Sequence, residues 1–335
     1  MRKARILALV LSLVLAQDLF AGTGAITWYK FSKKFIADHY PRDSGFGTIS
    51  ATQWSPARSP HSISCGGNDG ELHIGIAENA IQLTGTHPIS ANAETNEDDP
   101  KWGMVAELPN ANDGGWDELQ GVERGPVTFS GYFRLWDEGH AHGLAAASNP
   151  HHVVELHPAW AFGRDPSNFS WSGPELVKPI PGYSGYGASK FKPILQTLQS
   201  GDWLNVWQDP DFVYVQLRES PNFHQLPIEI GQVRSITGGH EVVVKVFSDR
   251  QFAHLVHENL RVITANGSPF DDEVSNLTQG THVYLLGFFS VNLQKAVELS
   301  ANANSQDNAV AAPDALEFFV FGKALQSAVT SCSSH

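Results

Sequence analysis

Cysteine is nearly absent. Cys65 and Cys332 are the only two in 335 residues, which excludes a disulfide-dense scaffold and any cysteine-rich zinc site. Positive charge is also scarce, with 22 Lys and Arg against 35 Asp and Glu and a formal charge of -13. Such a surface repels polyanions, so nucleic acid is not expected as a partner. Long apolar runs are missing too. The one candidate, Ile6 to Leu15 behind Met1-Arg2-Lys3-Ala4-Arg5, is too short to span a bilayer and has the layout of an export signal. This predicts a signal peptide over residues 1–21, cleaved after Ala16 or Ala21, and a secreted or periplasmic chain with no stable membrane anchor. Loss of the three positive charges Arg2, Lys3 and Arg5 takes the formal charge from -13 to -16. In an exported chain Cys65 and Cys332 either pair as one disulfide or stay as two thiols. No His-Glu-x-x-His, serine nucleophile elbow, phosphate loop or dinucleotide fingerprint occurs.

What the chain does contain is strand pattern. Short β-branched or aromatic runs bounded by Gly, Pro, Asn and Asp cover 71–76, 103–108, 126–136 and 152–157, and again 212–218, 241–247, 260–264, 283–289 and 316–321. The run at 126–136 is the clearest. Val127, Phe129, Gly131, Phe133 and Leu135 alternate with Thr128, Ser130, Tyr132, Arg134 and Trp136, the two-residue period of a strand with one face on a core. Gly131 inside it suggests a bend such as a barrel corner needs. Helical patterns are few: 249–258, where Ser248 and Gln251 form a capping-box pattern, and a weaker one at 191–199. Residues 300–313 are small and polar and predict a mobile loop before the last strand. A Pro, Gly and Ser-rich stretch at 166–189 reads as a linker between a first domain, 26–165, and a second β-rich domain, 190–325, with a tail at 326–335. The segments beginning Gly287 and Asn205, Gly287-x-x-Ser290-Val291-Asn292-Leu293 and Asn205-Val206-Trp207-Gln208-Asp209-Pro210, match no motif.

Eight acids and histidines crowd the interval from Asp137 to His157, and it holds five of the chain's 15 histidines. Imidazole and carboxylate together can bind a metal, move protons or hold loops by hydrogen bonds. If the segment ending in Glu155-Leu156-His157 is extended, Glu155 and His157 share one face while Val154 and Leu156 feed the core. Gly139 and Gly143 allow a turn that folds Asp137 and His140 back over that pair. A mixed His and carboxylate set suits zinc or manganese better than calcium. The same residues could instead satisfy backbone groups in neighbouring loops. Glu71-Leu72-His73 repeats the Glu-Leu-His triplet and offers a further ligand. His87, His224, His240, His254, His257 and His282 have no convergent partner in the sequence and read as ordinary surface or loop residues.

The order Asp69 to Ile74, Met104 to Glu107, Gly125 to Gly131, Trp136 to His140 and Val154-Glu155-Leu156-His157-Pro158 resembles a widespread, poorly characterised bacterial secreted domain. That domain has a strand ending in Asp-x-x-His and closes with Trp-Glu-Ile-His-Pro; here Val154 stands for its tryptophan and Leu156 for its isoleucine. The resemblance implies a small OB-like β-barrel over about 60–162. It carries a site to Asp137, His140, Glu155, His157, His73 and Glu107, but no reaction. The expected fold is therefore mostly β, an N-terminal OB-like barrel followed by a second β-rich domain with one or two short helices. Three functions fit. One is a secreted binding module for a small molecule, with those six residues as a polar rim. Another is a metal-dependent hydrolase in which Asp137, His140, Glu155 and His157 hold one zinc or manganese ion. The third is a glycan-binding protein presenting Trp116, Trp203 and Trp207.

Overall fold

The computed structural model describes residues 28–39, 44–51, 53–56, 72–77, 87–88, 104–108, 119, 125–135, 154–164, 171–172, 198, 203–217, 223–249, 251–274 and 276–323. The predicted signal peptide, Asp137, His140, Cys65, Cys332, Trp116, the tail, and the linker apart from Trp171–Ser172 lie outside them, as does the helix predicted at 191–199 apart from Leu198.

Seventeen strands are described: β1 (Tyr29–Ser32), β2 (Phe46–Ala51), β3 (Gln53–Pro56), β4 (Leu72–Ala77), β5 (His87–Pro88), β6 (Met104–Leu108), β7 (Val127–Leu135), β8 (Val154–Gly163), β9 (Trp171–Ser172), β10 (Leu204–Gln208), β11 (Phe212–Leu217), β12 (Phe223–Ile236), β13 (Gly239–Phe247), β14 (Leu255–Ala265), β15 (His282–Val291), β16 (Val310–Ala311) and β17 (Leu316–Lys323). Three short helices accompany them: α1 (Lys33–His39), α2 (Pro269–Val274) and α3 (Leu293–Leu299). The protein is mostly β, with a closed five-stranded barrel in the order β12-β13-β14-β17-β15. The expectation placed that barrel in the first half. The strands described there instead join a seven-stranded sheet, β2-β7-β8-β6-β4-β3 with β9 on β8, and a five-stranded sheet runs β16-β10-β11-β1-β5.

Alternation decides how these layers meet. On β7, Val127, Phe129, Phe133 and Leu135 enter a core with Leu72, Ile74 and Ile76 of β4, Met104, Ala106 and Leu108 of β6, and Val154 and Leu156 of β8. The same core takes Phe31 from β1, Leu204 and Val206 from β10, and Val213 and Val215 from β11. The opposite face of the large sheet meets the barrel. Phe46 and Tyr132 join Phe288, Phe319 and Phe321 there, with Trp160 packed against them. The barrel's own interior is filled by Ile228, Val242, Val244, Val262, Leu285, Phe289 and Phe318.

Gly131, expected to bend a strand at a barrel corner, lies instead in the seven-stranded sheet, where it marks a break in regular pairing. Between Gly131↔Ala159 and Phe133↔Leu156, Tyr132 of β7 faces both His157 and Pro158 of β8. A bulge of this kind tolerates a proline that cannot donate to the ladder. A Cβ on residue 131 would sit 2.2 Å from the carbonyl oxygen of Pro158, so only glycine lets the strands close here. Pro158 thus lies inside the ten-residue strand β8.

Two local expectations are corrected. Residues 249 and 251–254 form a turn, not a helix: Asp249 Oδ1 accepts from the Gln251 and Ala253 amides at 2.9 and 3.2 Å, and Oδ2 from the His254 amide at 2.9 Å. The carboxylate captures the donors that a helix would have used, and the chain leaves as β14. Residues 300–313 are built, too. They hold a turn closed by Ser305 and Asn308 and the short strand β16, paired with β10.

The two unassigned segments are structural. Ser290 Oγ donates to the Phe133 carbonyl at 2.8 Å, and Asn292 caps α3 by accepting from the Lys295 amide at 2.9 Å. Asp209 shapes the β10–β11 turn, accepting from the Phe212 amide at 2.7 Å and the Tyr214 hydroxyl at 2.7 Å.

Candidate metal centre

The face of the large sheet that meets the barrel carries a row of buried charge. His73 on β4 is directly opposite Glu107 on β6, and Val105 of β6 is opposite Glu155 of β8, which is opposite Arg134 of β7. Strand alternation puts His73, Glu107, Glu155, His157 and Arg134 on one side, since their neighbours Leu72, Ala106, Val154, Leu156, Phe133 and Leu135 all enter the core behind. All five are at least nine-tenths buried, and His157 is completely so. They form an enclosed cluster, not an open rim.

His157 Nδ1 is hydrogen-bonded to Glu107 Oε2 and lies 4.0 Å from Glu155 Oε2. His73 Nε2 is 3.4 Å from Glu107 Oε1, and Arg134 Nη1 donates to Glu155 Oε2 at 3.2 Å. Barrel aromatics cover the cluster: the His157 ring centroid lies 5.4 Å from Phe288 and 5.8 Å from Phe321, and the Arg134 guanidinium is 4.8 Å above the Phe288 ring.

Burial by itself would raise the Glu107 carboxyl. The charges of His73 and His157, the hydrogen bond from His157 and the charge of Arg134 outweigh it and hold Glu107 well below the usual carboxylate range. A carboxyl with a lowered folded-state pKa stabilises the fold above its unfolded value, and that contribution is lost as pH falls through the folded value. Stability is therefore expected to decline in acid below the ordinary carboxylate range. Urea melts from neutral pH downward should show Glu107→Gln with a flatter acid limb than the parent; parallel limbs would contradict this.

Glu107, Glu155 and His157 each offer a ligand atom, and the three atoms lie within 4.8 Å of one another. Ligands on one zinc ion lie about 2.0–2.2 Å from it, hence no more than about 4.4 Å apart, so small torsional changes bring this set into range. Two carboxylate oxygens and one imidazole nitrogen suit zinc or manganese.

Four of the six residues singled out in the sequence, His73, Glu107, Glu155 and His157, come together; Asp137 and His140 lie outside the described residues. Arg134 was visible as an alternating strand position but not as a partner. The barrel aromatics are remote in sequence and gave no local signal. Of the tryptophans considered for glycans, Trp203 is buried against Phe289 with centroids 4.3 Å apart, and Trp207 is stacked on Tyr214 at 3.6 Å. His240 also has a convergent partner, Asp271, at 2.7 Å; the hint lay in Ser268-x-x-Asp271, where the Asp271 amide bonds Ser268 Oγ at 3.3 Å. No protein-family model, curated protein or solved structure matches this chain.

Proposed function

We propose that this chain is an exported binding module whose ligand is a single divalent transition-metal ion, zinc or manganese, held by Glu107, Glu155 and His157. The observation that carries the reading is the convergence of those three buried ligand atoms within 4.8 Å. Export rests on the charged and apolar N-terminal residues, and the resemblance of Val154-Glu155-Leu156-His157-Pro158 to the closing motif of a bacterial secreted domain supports the choice of residues. The set of two carboxylates and one imidazole leaves room in the coordination shell for water or a substrate atom, so metal-assisted hydrolysis belongs to the same reading.

A metal-free ion network is the second reading, favoured by the direct Arg134–Glu155 and His157–Glu107 pairs. One experiment separates them. Protein stripped with chelator is titrated with zinc, manganese, magnesium and calcium while elemental content and thermal midpoint are followed. Zinc or manganese at a hundredfold excess over its Kd should stabilise the fold by about 2.7 kcal/mol, and Glu107→Gln should abolish the effect. No stoichiometric metal and no shift would leave only the ion network.

A further inference from the structure

A second set of acid, imidazole and hydroxyl stands on the barrel. Ser235 of β12 is directly opposite His240 of β13, which is directly opposite Thr264 of β14. Direct opposition puts the three side chains on one face, with neighbouring Cβ atoms about 4.5–5.5 Å apart. The chain then turns from β14 into α2, which returns Asp271 to His240. Asp271 Oδ1 accepts from His240 Nδ1 at 2.7 Å and from Thr264 Oγ1 at 2.5 Å, and Oδ2 from the Gly267 amide at 3.4 Å. The carboxylate is 3% exposed and held by three donors, so the ring it orients is held as well.

The tautomer follows from donor chemistry. An ionised carboxylate only accepts, so His240 Nδ1 carries a proton, and in the neutral ring Nε2 is then the nitrogen with the lone pair. The His240 side chain is 22% exposed, which leaves it within reach of solvent. Thr264 is fully buried with its hydroxyl committed to Asp271. Ser235, on the other side of His240, is exposed.

We propose that Ser235 and His240 form an acyl-transfer site for small esters, with Asp271 as the residue that positions His240. These are the roles of nucleophile, base and orienting acid that recur on unrelated folds. The Ser235 hydroxyl proton passes to His240 Nε2 as Oγ bonds the acyl carbon. The carbon–oxygen bond to the alcohol breaks, and the alcohol departs with the proton from His240. Water, deprotonated by the same nitrogen, then attacks the acyl-serine, releasing the acid and restoring the Ser235 hydroxyl.

The test uses the full chain in chelator, which separates this site from the metal centre, with an alkyl fluorophosphonate as probe and p-nitrophenyl acetate as substrate. Phosphonylation is expected on the Ser235 peptide by mass spectrometry, together with turnover of the ester. Ser235→Ala should remove the label and slow turnover about 100-fold or more, while leaving the thermal midpoint of this exposed position unchanged. Asp271→Asn should slow turnover and alter the pH profile, beyond any change in stability. Absence of label at Ser235, or parental turnover in Ser235→Ala, would overturn the proposal.

Discussion

Glu317→Ala is expected to destabilise the protein by about 3–5 kcal/mol, the loss typical of breaking a buried charged network from one side. Glu317 is fully buried on β17, and its carboxylate gathers groups from four distant stretches of chain. Arg261 Nη1 donates to Oε1 at 2.7 Å and Asn292 Nδ2 at 3.1 Å, while the Gly45 amide reaches Oε2 at 3.1 Å and the Tyr132 hydroxyl also donates to Oε2. Removing the carboxylate takes a shared acceptor from all four donors at the buried junction of sheet and barrel. Arg261 keeps Glu241, to which its Nε also donates at 2.7 Å.

Burial pushes the Glu317 carboxyl up, and Arg261, Tyr132, Asn292 and the Gly45 amide only partly offset this. The sign is therefore opposite to that of Glu107. A raised folded-state pKa gives stability that is complete below the unfolded value and lost as pH rises through the folded one. Glu317→Gln should accordingly be milder than alanine, because the Tyr132 hydroxyl can turn to accept from the new amide. Its deficit should shrink as pH rises, and chemical denaturation of both variants across the pH range reads this directly. A deficit that grows with pH would contradict it.

Glu155→Ala should cost a similar amount, about 3–5 kcal/mol, for a different reason. Arg134 cannot shed its charge, so losing the carboxylate 3.2 Å away leaves a buried guanidinium with its main counter-charge gone. Contact with the Phe288 ring does not replace an ion pair of that geometry. The paired change Arg134→Met with Glu155→Leu should recover most of the stability, as apolar replacement of a whole buried pair commonly does. The double variant should still bind no metal, since one of three ligands is gone. A double-mutant cycle measured by urea denaturation gives the coupling, and near-additive losses would show that Arg134 and Glu155 do not depend on each other.

Parts of this arrangement were legible in the residues themselves. The alternation from Val127 to Leu135 and the Glu155-Leu156-His157 triplet state which side chains face the core, because the strand period is local. Glu107 entered only through a motif resemblance and His73 through that and its Glu71-Leu72-His73 triplet, since nothing within a few residues of either says that β4, β6 and β8 are neighbours. β12, the longest strand at 14 residues, went unseen because Pro227 and its polar residues obscure the period. The supposed helix at 249–258 failed for a local reason, Asp249 competing for its own amides. The place of the barrel could not be read at all. Its closure depends on β14 lying parallel to β17, some fifty residues further on, as Arg261↔Glu317, Val262↔Phe318 and Ile263↔Phe319, and local period carries no information about such distant pairing.

That parallel pairing also governs the order of events during synthesis. β17 fills the gap between β14 and β15, so the first three barrel strands leave the ribosome with an unpaired edge that persists until residues 316–323 have been translated. Nascent chains halted before that point carry the exposed edge that chaperones and aggregation partners recognise.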